Sequence, residues 1–362
     1  MRFTKIFCFP LNNRSRGKRL RVFLPAAAVV AAAVLLAGGC SGISGGGTDG
    51  KVSLRIGVSL YQTDDTFINN LRSELESRAK EYEQETGARI TLDIQSAKGN
   101  QRTQNSQVER FISLGCDVLC INPVDRMAVS SIIDHAVSAQ VPVVFFNRQP
   151  VEEDMNRWDQ LYYVGVDAKE TAILQGQIVI SHYEKHPEAF DRNGDGVIKY
   201  VLLEGESSHQ DSLIRTEWSI QTLKDAGIPI ERLTGGIASW ERPQASALVE
   251  QWLEEYPGQI ELIISNNDDM ALGALDAMDR LGAGGIQVVG IDATEPGTEA
   301  VMSGRMMGTV SADKAQYARA IFELAVAKAR GKDIPADLEM ENETYYWCPQ
   351  SVVNQEDFEE TR

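Results

Sequence analysis

CDVLCINPVDRMAVSSIIDHAVSAQVPVVFFN, residues 116–147, decides the fold. Two short apolar runs, CDVLCINPV and VPVVFFN, flank MAVSSIIDHAVSAQ, a helical stretch. Unbroken apolar strands are buried on both faces, and a helix between two of them makes a βαβ unit of a parallel sheet. Outward from this unit the grammar repeats. Upstream lie VSLRIGVSLY (52–61), then a helix over 67–86 with Phe67, Leu71, Leu75, Ala79 and Tyr82 at helical spacing and Gly87 as its stop. ARITLDIQSA reads as a strand, and QNSQVERFISLG as a helix ending at Gly115. Downstream the pattern restarts near 161 with LYYVGVD, a helix over 168–185, VIKYVLLEG, SLIRTEWSIQTLKDAG, ERLTGGIASW, a helix over 243–256, IELIISNN, a helix over 269–281 and IQVVGID. GRMMGTVSAD and a helix over 313–331 follow. The expected fold class is α/β: two doubly wound parallel-sheet lobes joined by a hinge, with a ligand cleft between them. The first lobe is expected over 51–147, completed by 313–341, and the second over 148–312, completed by 342–362.

The N-terminus reads as an address. Its first 22 residues carry Arg2, Lys5, Arg14, Arg16, Lys18, Arg19 and Arg21 and no acid. VFLPAAAVVAAAVLLA, from Val22 to Ala37, follows; at about 16 residues it is short for a span of roughly 20 and suits the apolar region of an export signal. The stretch ends LAGGC, which resembles a bacterial lipobox with Cys40 as the lipidated residue, although Ala37 stands where Leu is usual and Leu36 lies one further back. Residues 1–39 are then a lipoprotein signal peptide, and 40–50 a Gly/Ser-rich tether. An ordinary secretory signal is the alternative.

Charge excludes other classes. The chain has 35 Lys+Arg against 52 Asp+Glu, a formal charge of −17. No nucleic-acid partner is expected, because phosphate contacts need clustered Lys and Arg. Loss of residues 1–39 removes seven positive charges, leaving 28 basic against 52 acidic residues, or −24. Cys116 and Cys120 lie in one strand about 13 Å apart, too far for a disulfide, and read as small buried residues. No G-x-S-x-G elbow between a strand and a helix is present (the one match, residues 42–46, lies in the Gly/Ser-rich stretch), and no HExxH or phosphate-binding G-x-x-x-x-G-K-[ST] motif, which argues against a hydrolase, a zinc protease or an ATPase. His182 and His186 have helical metal-ligand spacing but no third ligand, and read as a solvated helix end.

Ligands of open parallel sheets bind at the carboxyl ends of strands, so the polar residues there are the candidates. They are Asp64-Asp65-Thr66-Phe67 after the first strand, Asn122 after the third, and His209-Gln210-Asp211 with Arg215 beyond YVLLEGE. Trp240 follows GGIAS, Asn266-Asn267-Asp268 follows IELIIS, and Asp292 follows IQVVGI. Carboxylates, amides and a guanidinium satisfy hydroxyls that both donate and accept, while aromatic faces take the C–H faces of a sugar ring. Asp65 could instead cap the helix over 67–86, and Trp240 taken alone could be a packing residue.

The segments YQTDDTF, CINPVD, VPVVFFNRQP, YYVGVDAKE, LLEGESSHQDSLIRT, IISNNDDMALGA and VVGIDA keep the order and spacing of a known family. Over residues 54–330 the chain resembles the type I periplasmic binding proteins, and within them those that bind D-glucose and D-galactose. The resemblance implies that Asp65 accepts from a sugar hydroxyl and that Phe67 and Trp240 stack on opposite sugar faces. It further implies hydrogen bonds from Asn122, His209, Asp211, Arg215, Asn267 and Asp292. One position departs: a further Asn just past the GTV segment is Ala312 here. The implied partners are a galactose or glucose ligand, the membrane permease of an ABC transporter, a lipid anchor, and a chemoreceptor in a sensing role. A monomer suffices, and no catalytic residues are expected.

DRNGDGVIK (191–199) places Asp191, Asn193 and Asp195 at positions 1, 3 and 5 of a calcium loop and the Val197 carbonyl at position 7. By resemblance, Glu261 supplies the distant bidentate carboxylate. A structural Ca²⁺ is the expected cofactor. Lys199, at position 9, opposes it: its ammonium could supply the positive charge itself, and NGDG is also a turn formula in its own right.

Overall fold

The computed structural model describes residues 53–359; the expected signal peptide over 1–39, Cys40 and the whole of the expected tether over 40–50 lie outside the described residues. The first sheet contains β1 (Ser53–Leu60), β2 (Arg89–Ser96), β3 (Val118–Ile121), β4 (Val143–Phe146) and β5 (Leu161–Gly165), linked by α1 (Thr66–Thr86), α2 (Gln101–Ser113), α3 (Ser130–Ala139) and the short α4 (Glu152–Met155). The chain then crosses through α5 (Ala168–Lys185) into a second sheet, β6 (Ile198–Glu204), β7 (Ile230–Ile237), β8 (Leu262–Ser265), β9 (Gln287–Val289) and β10 (Gly308–Ala312). Its linking helices are α6 (Gln210–Asp225), α7 (Arg242–Glu255), α8 (Asp268–Leu281) and α9 (Glu295–Met302). α10 (Lys314–Ala329) returns to the first lobe and packs beside α1. β11 (Tyr345–Trp347) joins the first sheet, β12 (Gln350–Asn354) the second, and α11 (Glu356–Glu359) ends the described chain.

The sheets have matching orders, β11-β5-β4-β3-β1-β2 and β12-β10-β9-β8-β6-β7. Every pairing is parallel except β10 with β12. The expected doubly wound α/β architecture is therefore present twice. VLCI, VVFF and LIIS are buried throughout, because helices cover both faces of each sheet. Two apolar clusters flank each sheet.

The expected lobe boundary at 147/148 is displaced. LYYVG looks like the opening strand of the second repeat, but it pairs with β4 and closes the first sheet. The chain changes lobes at 166–167, at Asp313 and at 348–349. Residues 345–347 likewise pair with β5 rather than with the second sheet. Hydrophobic periodicity marks a strand but not the sheet it joins. Cys116, Cys120 and Cys348 are free and buried, in keeping with the sequence reading of the first two.

Candidate functional site

A cavity with about 560 Å³ of empty space, its open mouth included, lies between the lobes. It sits at the carboxyl ends of the central strands, where the strand order reverses. Asp65 and Phe67 line it from the first lobe; His209, Asp211, Arg215, Trp240, Asn267 and Asp292 line it from the second. Asn122 does not reach the wall. It is fully buried; its Oδ1 accepts from the Tyr61 N–H at 3.2 Å, and its Nδ2 donates to the Phe146 carbonyl at 3.3 Å and to Asn147 Oδ1 at 3.1 Å. Its amide is spent on holding Asn147, which does line the cavity.

Three wall residues are also helix caps. Asp65 Oδ1 accepts from the Ile68 N–H at 2.9 Å, so the capping and cavity-lining roles coincide, and its Oδ2 accepts from the Tyr61 hydroxyl at 2.6 Å. Asn267 Oδ1 caps α8 through the Met270 N–H. His209 caps α6: its Nδ1 accepts from the Asp211 N–H at 3.1 Å. That bond places the ring proton on Nε2, leaving a donor there. Burial, reinforced by Arg148 and Arg215, pushes the His209 pKa well down, so the ring is neutral. Capping fixes these polar groups at the mouths of three helices, where orphan N–H groups gather.

Arg215 organises the charge. Its Nη1 donates to the Asn266 carbonyl at 2.9 Å and its Nη2 to Asp211 Oδ2 at 3.1 Å, with Asp292 Oδ1 3.9 Å from Nη1. Burial pushes the carboxyls of Asp65, Asp211 and Asp292 upward, against the pull of Arg215 on the last two. Arg215 Nε, Arg148 Nε and Trp240 Nε1 are buried donors without a protein partner, all on residues that line the cavity. The wall thus offers both acceptors and unspent donors, as a polyhydroxylated neutral molecule requires.

Trp240 comes from the second lobe and Phe67 from the first. Gly205 admits the indole: a Cβ there would stand 2.1 Å from the Trp240 ring. The His209 ring lies edge-on to Trp240, centroids 5.2 Å apart. Asn147, Ser239, Trp240, Asp292 and Ala293 all adopt positive φ. Such backbone is unfavourable for these residues, and its concentration at the cleft marks a site whose shape the surroundings enforce.

Tyr61, Asn147, Arg148, Tyr317 and Gln350 line the cavity without having been singled out in the sequence. Asn147 and Arg148 follow β4, so the strand-end rule that selected the others would have found them. Arg148 stacks over the Tyr61 ring at 3.8 Å and makes a bidentate pair with Glu206, at 2.9 and 2.8 Å. Arg148 belongs to the first lobe and Glu206 follows β6 in the second, so this pair joins the two walls of the cleft.

Asp268 lies fully buried behind the wall, accepting from Thr294 N–H at 2.8 Å, Thr294 hydroxyl at 3.2 Å and Thr309 hydroxyl at 2.7 Å. Burial pushes its carboxyl up to about 7 from 3.8. An acid with a raised folded-state pKa destabilises the fold fully above that pKa, and the penalty is relieved as pH falls through it. The melting temperature of the wild type relative to Asp268→Asn is therefore expected to rise between about pH 8 and about pH 5. A pH-independent difference would refute this role.

The loop at 191–199 is held from within. Glu261, 1% exposed, accepts from the N–H groups of Arg192, Asn193 and Lys199 at 2.8, 3.4 and 2.9 Å. Asp191 Oδ2 accepts from Gly196 N–H, Asn193 Oδ1 from Asp195 N–H, and Asp195 Oδ1 from Val197 N–H. Lys199 Nζ pairs with Asp195 and holds that carboxyl below its usual range. Both Glu261 oxygens serve the main chain and an ammonium sits against Asp195. The residues as arranged do not fit a calcium ion, despite the one unpartnered oxygen, Asp191 Oδ1. Among the described residues no group of three or more His, Cys, Asp or Glu is placed to hold a metal; that includes His182 and His186.

Comparison with known proteins agrees with this geometry. Residues 56–333 match the periplasmic binding protein domain family. The chain is 37% identical over 279 residues to the D-galactose/methyl-galactoside binding periplasmic protein of Haemophilus influenzae, covering 77% of this chain and 82% of that one. It is 29% identical to a rhizopine-binding protein of Rhizobium meliloti, described as putative, over 77% and 85% of the two chains. Among solved structures it resembles a solute-binding protein of an ABC transporter from Bacillus halodurans with bound myo-inositol, with TM-score 0.70, 26% identity and coverage of 87% and 99%.

Proposed function

The chain belongs to the periplasmic binding protein family, and on that premise we propose that it captures D-galactose or D-glucose outside the cytoplasmic membrane for an ABC importer. The observation that supports this reading is the cavity wall: three carboxylates, two arginines and amides between aromatic rings contributed by opposite lobes. Asp65, Asp211 and Asp292 accept from sugar hydroxyls, and Arg215, His209 and Asn267 donate to oxygens. Phe67 and Trp240 cover the C–H faces. Because the wall is divided between lobes, a bound sugar stabilises the closed arrangement over an open one. A permease reads the closed form, and a chemoreceptor could read the same surface. Binding, not turnover, is the chemistry: the carboxylates are shared among hydroxyls.

Calorimetric titration of the sugar-free full chain with D-glucose, D-galactose and D-ribose tests this. Tight one-to-one binding of either hexose supports the reading; binding of ribose alone redirects it within the fold; no binding to any of them rejects it. The lipid anchor at Cys40 has its own test: Cys40→Ser is expected to leave the membrane fraction for the soluble one.

Calcium has no part in this reading. EDTA and on the order of millimolar calcium are expected to leave the melting temperature unchanged. Lys199→Gln, which removes the ammonium beside Asp195, is expected to lower the melting temperature and make it rise with added calcium. A calcium-dependent rise in the wild type would overturn this.

A further inference from the structure

One corner of the cavity differs from the rest. Phe67, Val166, Ala312 and Tyr317 line it and pack together in the apolar cluster of the first lobe. Val310, two residues along β10, lines it beside Ala312. The only side-chain polar atom among these five is the Tyr317 hydroxyl, and it is committed: it donates to the Val164 carbonyl at 3.2 Å and accepts from the Asn147 N–H at 3.0 Å. Gln350 stands directly across the strand pair from Ala312. Its amide is also committed, donating to the Asp167 carbonyl at 3.0 Å and accepting from the Thr171 hydroxyl. Asp292 borders the corner, its N–H donating to the Val310 carbonyl at 2.8 Å, but its carboxylate Oδ1 lies 3.9 Å from Arg215, whose guanidinium also donates to Asp211.

A hydroxyl pressed into this corner would lose water and gain no partner, whereas a hydrogen or methyl would bury apolar surface. We propose that the ligand presents a hydrogen or a methyl to Ala312 where a common hexose has a hydroxyl. The preferred ligand class is thus a deoxy monosaccharide. The inference rests on the monosaccharide reading of the cleft and narrows it.

The test is calorimetry on the full chain with D-galactose, D-glucose and the 2-, 3-, 4- and 6-deoxy analogues of each, repeated on Ala312→Asn and Ala312→Ser. At least one deoxy sugar is expected to bind roughly tenfold tighter than its parent, with that order reversed in the variants, whose side chains supply the missing partner. If the parents bind tighter than every analogue, the inference is overturned and the monosaccharide reading stands. A deoxy preference that both folded variants retain overturns the assignment to Ala312. If no sugar in the panel binds, the reading of the cleft fails and the inference with it.

Discussion

Arg215→Met is expected to weaken sugar binding roughly ten- to a hundredfold, the scale of lost hydrogen bonds to a charged group at about 1.5–3 kcal/mol, and to destabilise the fold by roughly 3–5 kcal/mol, because removing one partner of a buried ion pair leaves an uncompensated charge. Arg215 donates to Asp211 and stands 3.9 Å from Asp292. Without it, two buried carboxylates face each other with only protons to neutralise them. Their already raised pKa values would climb further. Raised acids cost stability as pH climbs above the ordinary carboxylate range, so the melting-temperature deficit of the variant is expected to grow as pH rises above that range. Arg215→Lys keeps the charge but not the planar fork, and should fall between the two. Calorimetry and thermal melts at several pH values read the result. A variant that binds sugar as the wild type does would show that the cleft is not organised around this guanidinium.

Glu206→Gln is expected to cost roughly ten- to a hundredfold in affinity, the scale of a lost charge-assisted bond of about 1.5–3 kcal/mol. The loss should fall on the dissociation rate, since the Arg148–Glu206 pair ties the two walls of the cleft together. Arg148 is 4% exposed, so its charge without Glu206 would be buried beside the Tyr61 ring. Stopped-flow fluorescence of the cleft tryptophan resolves the two rates. A slower association with unchanged dissociation would make the pair a steering device rather than a latch.

The sequence was most legible where a local rule applied. Strand ends in an open sheet point to Asp65, His209, Asp211, Arg215, Asn267 and Asp292, and all six line the cavity. The same rule misplaced Asn122, because a strand end does not say whether an amide faces the ligand or the next loop. Arg148 follows β4 by two residues and went unremarked, since its partner lies 58 positions away, on the other lobe. Gln350 reaches the cavity only through an antiparallel pairing with β10 that no periodicity announces. The lobe boundary failed for a related reason: Leu161–Gly165 has the pattern of any buried parallel strand, and only its partner β4 assigns it. At 191–199 the spacing of oxygen side chains suggested calcium while Lys199 opposed it, and Lys199 pairs with Asp195.

The three passages between the lobes lie side by side, tied where the Cys348 N–H donates to the Gly165 carbonyl and the Gln350 amide to the Asp167 carbonyl. Three short straps in a row act as a door hinge: they allow swing about one axis and resist twist and slide. A single angle then describes the whole motion, and every surface on the rim of the cleft moves with it. On the proposed reading, occupancy then becomes an essentially binary message to a partner that touches only the outer edges of the two lobes.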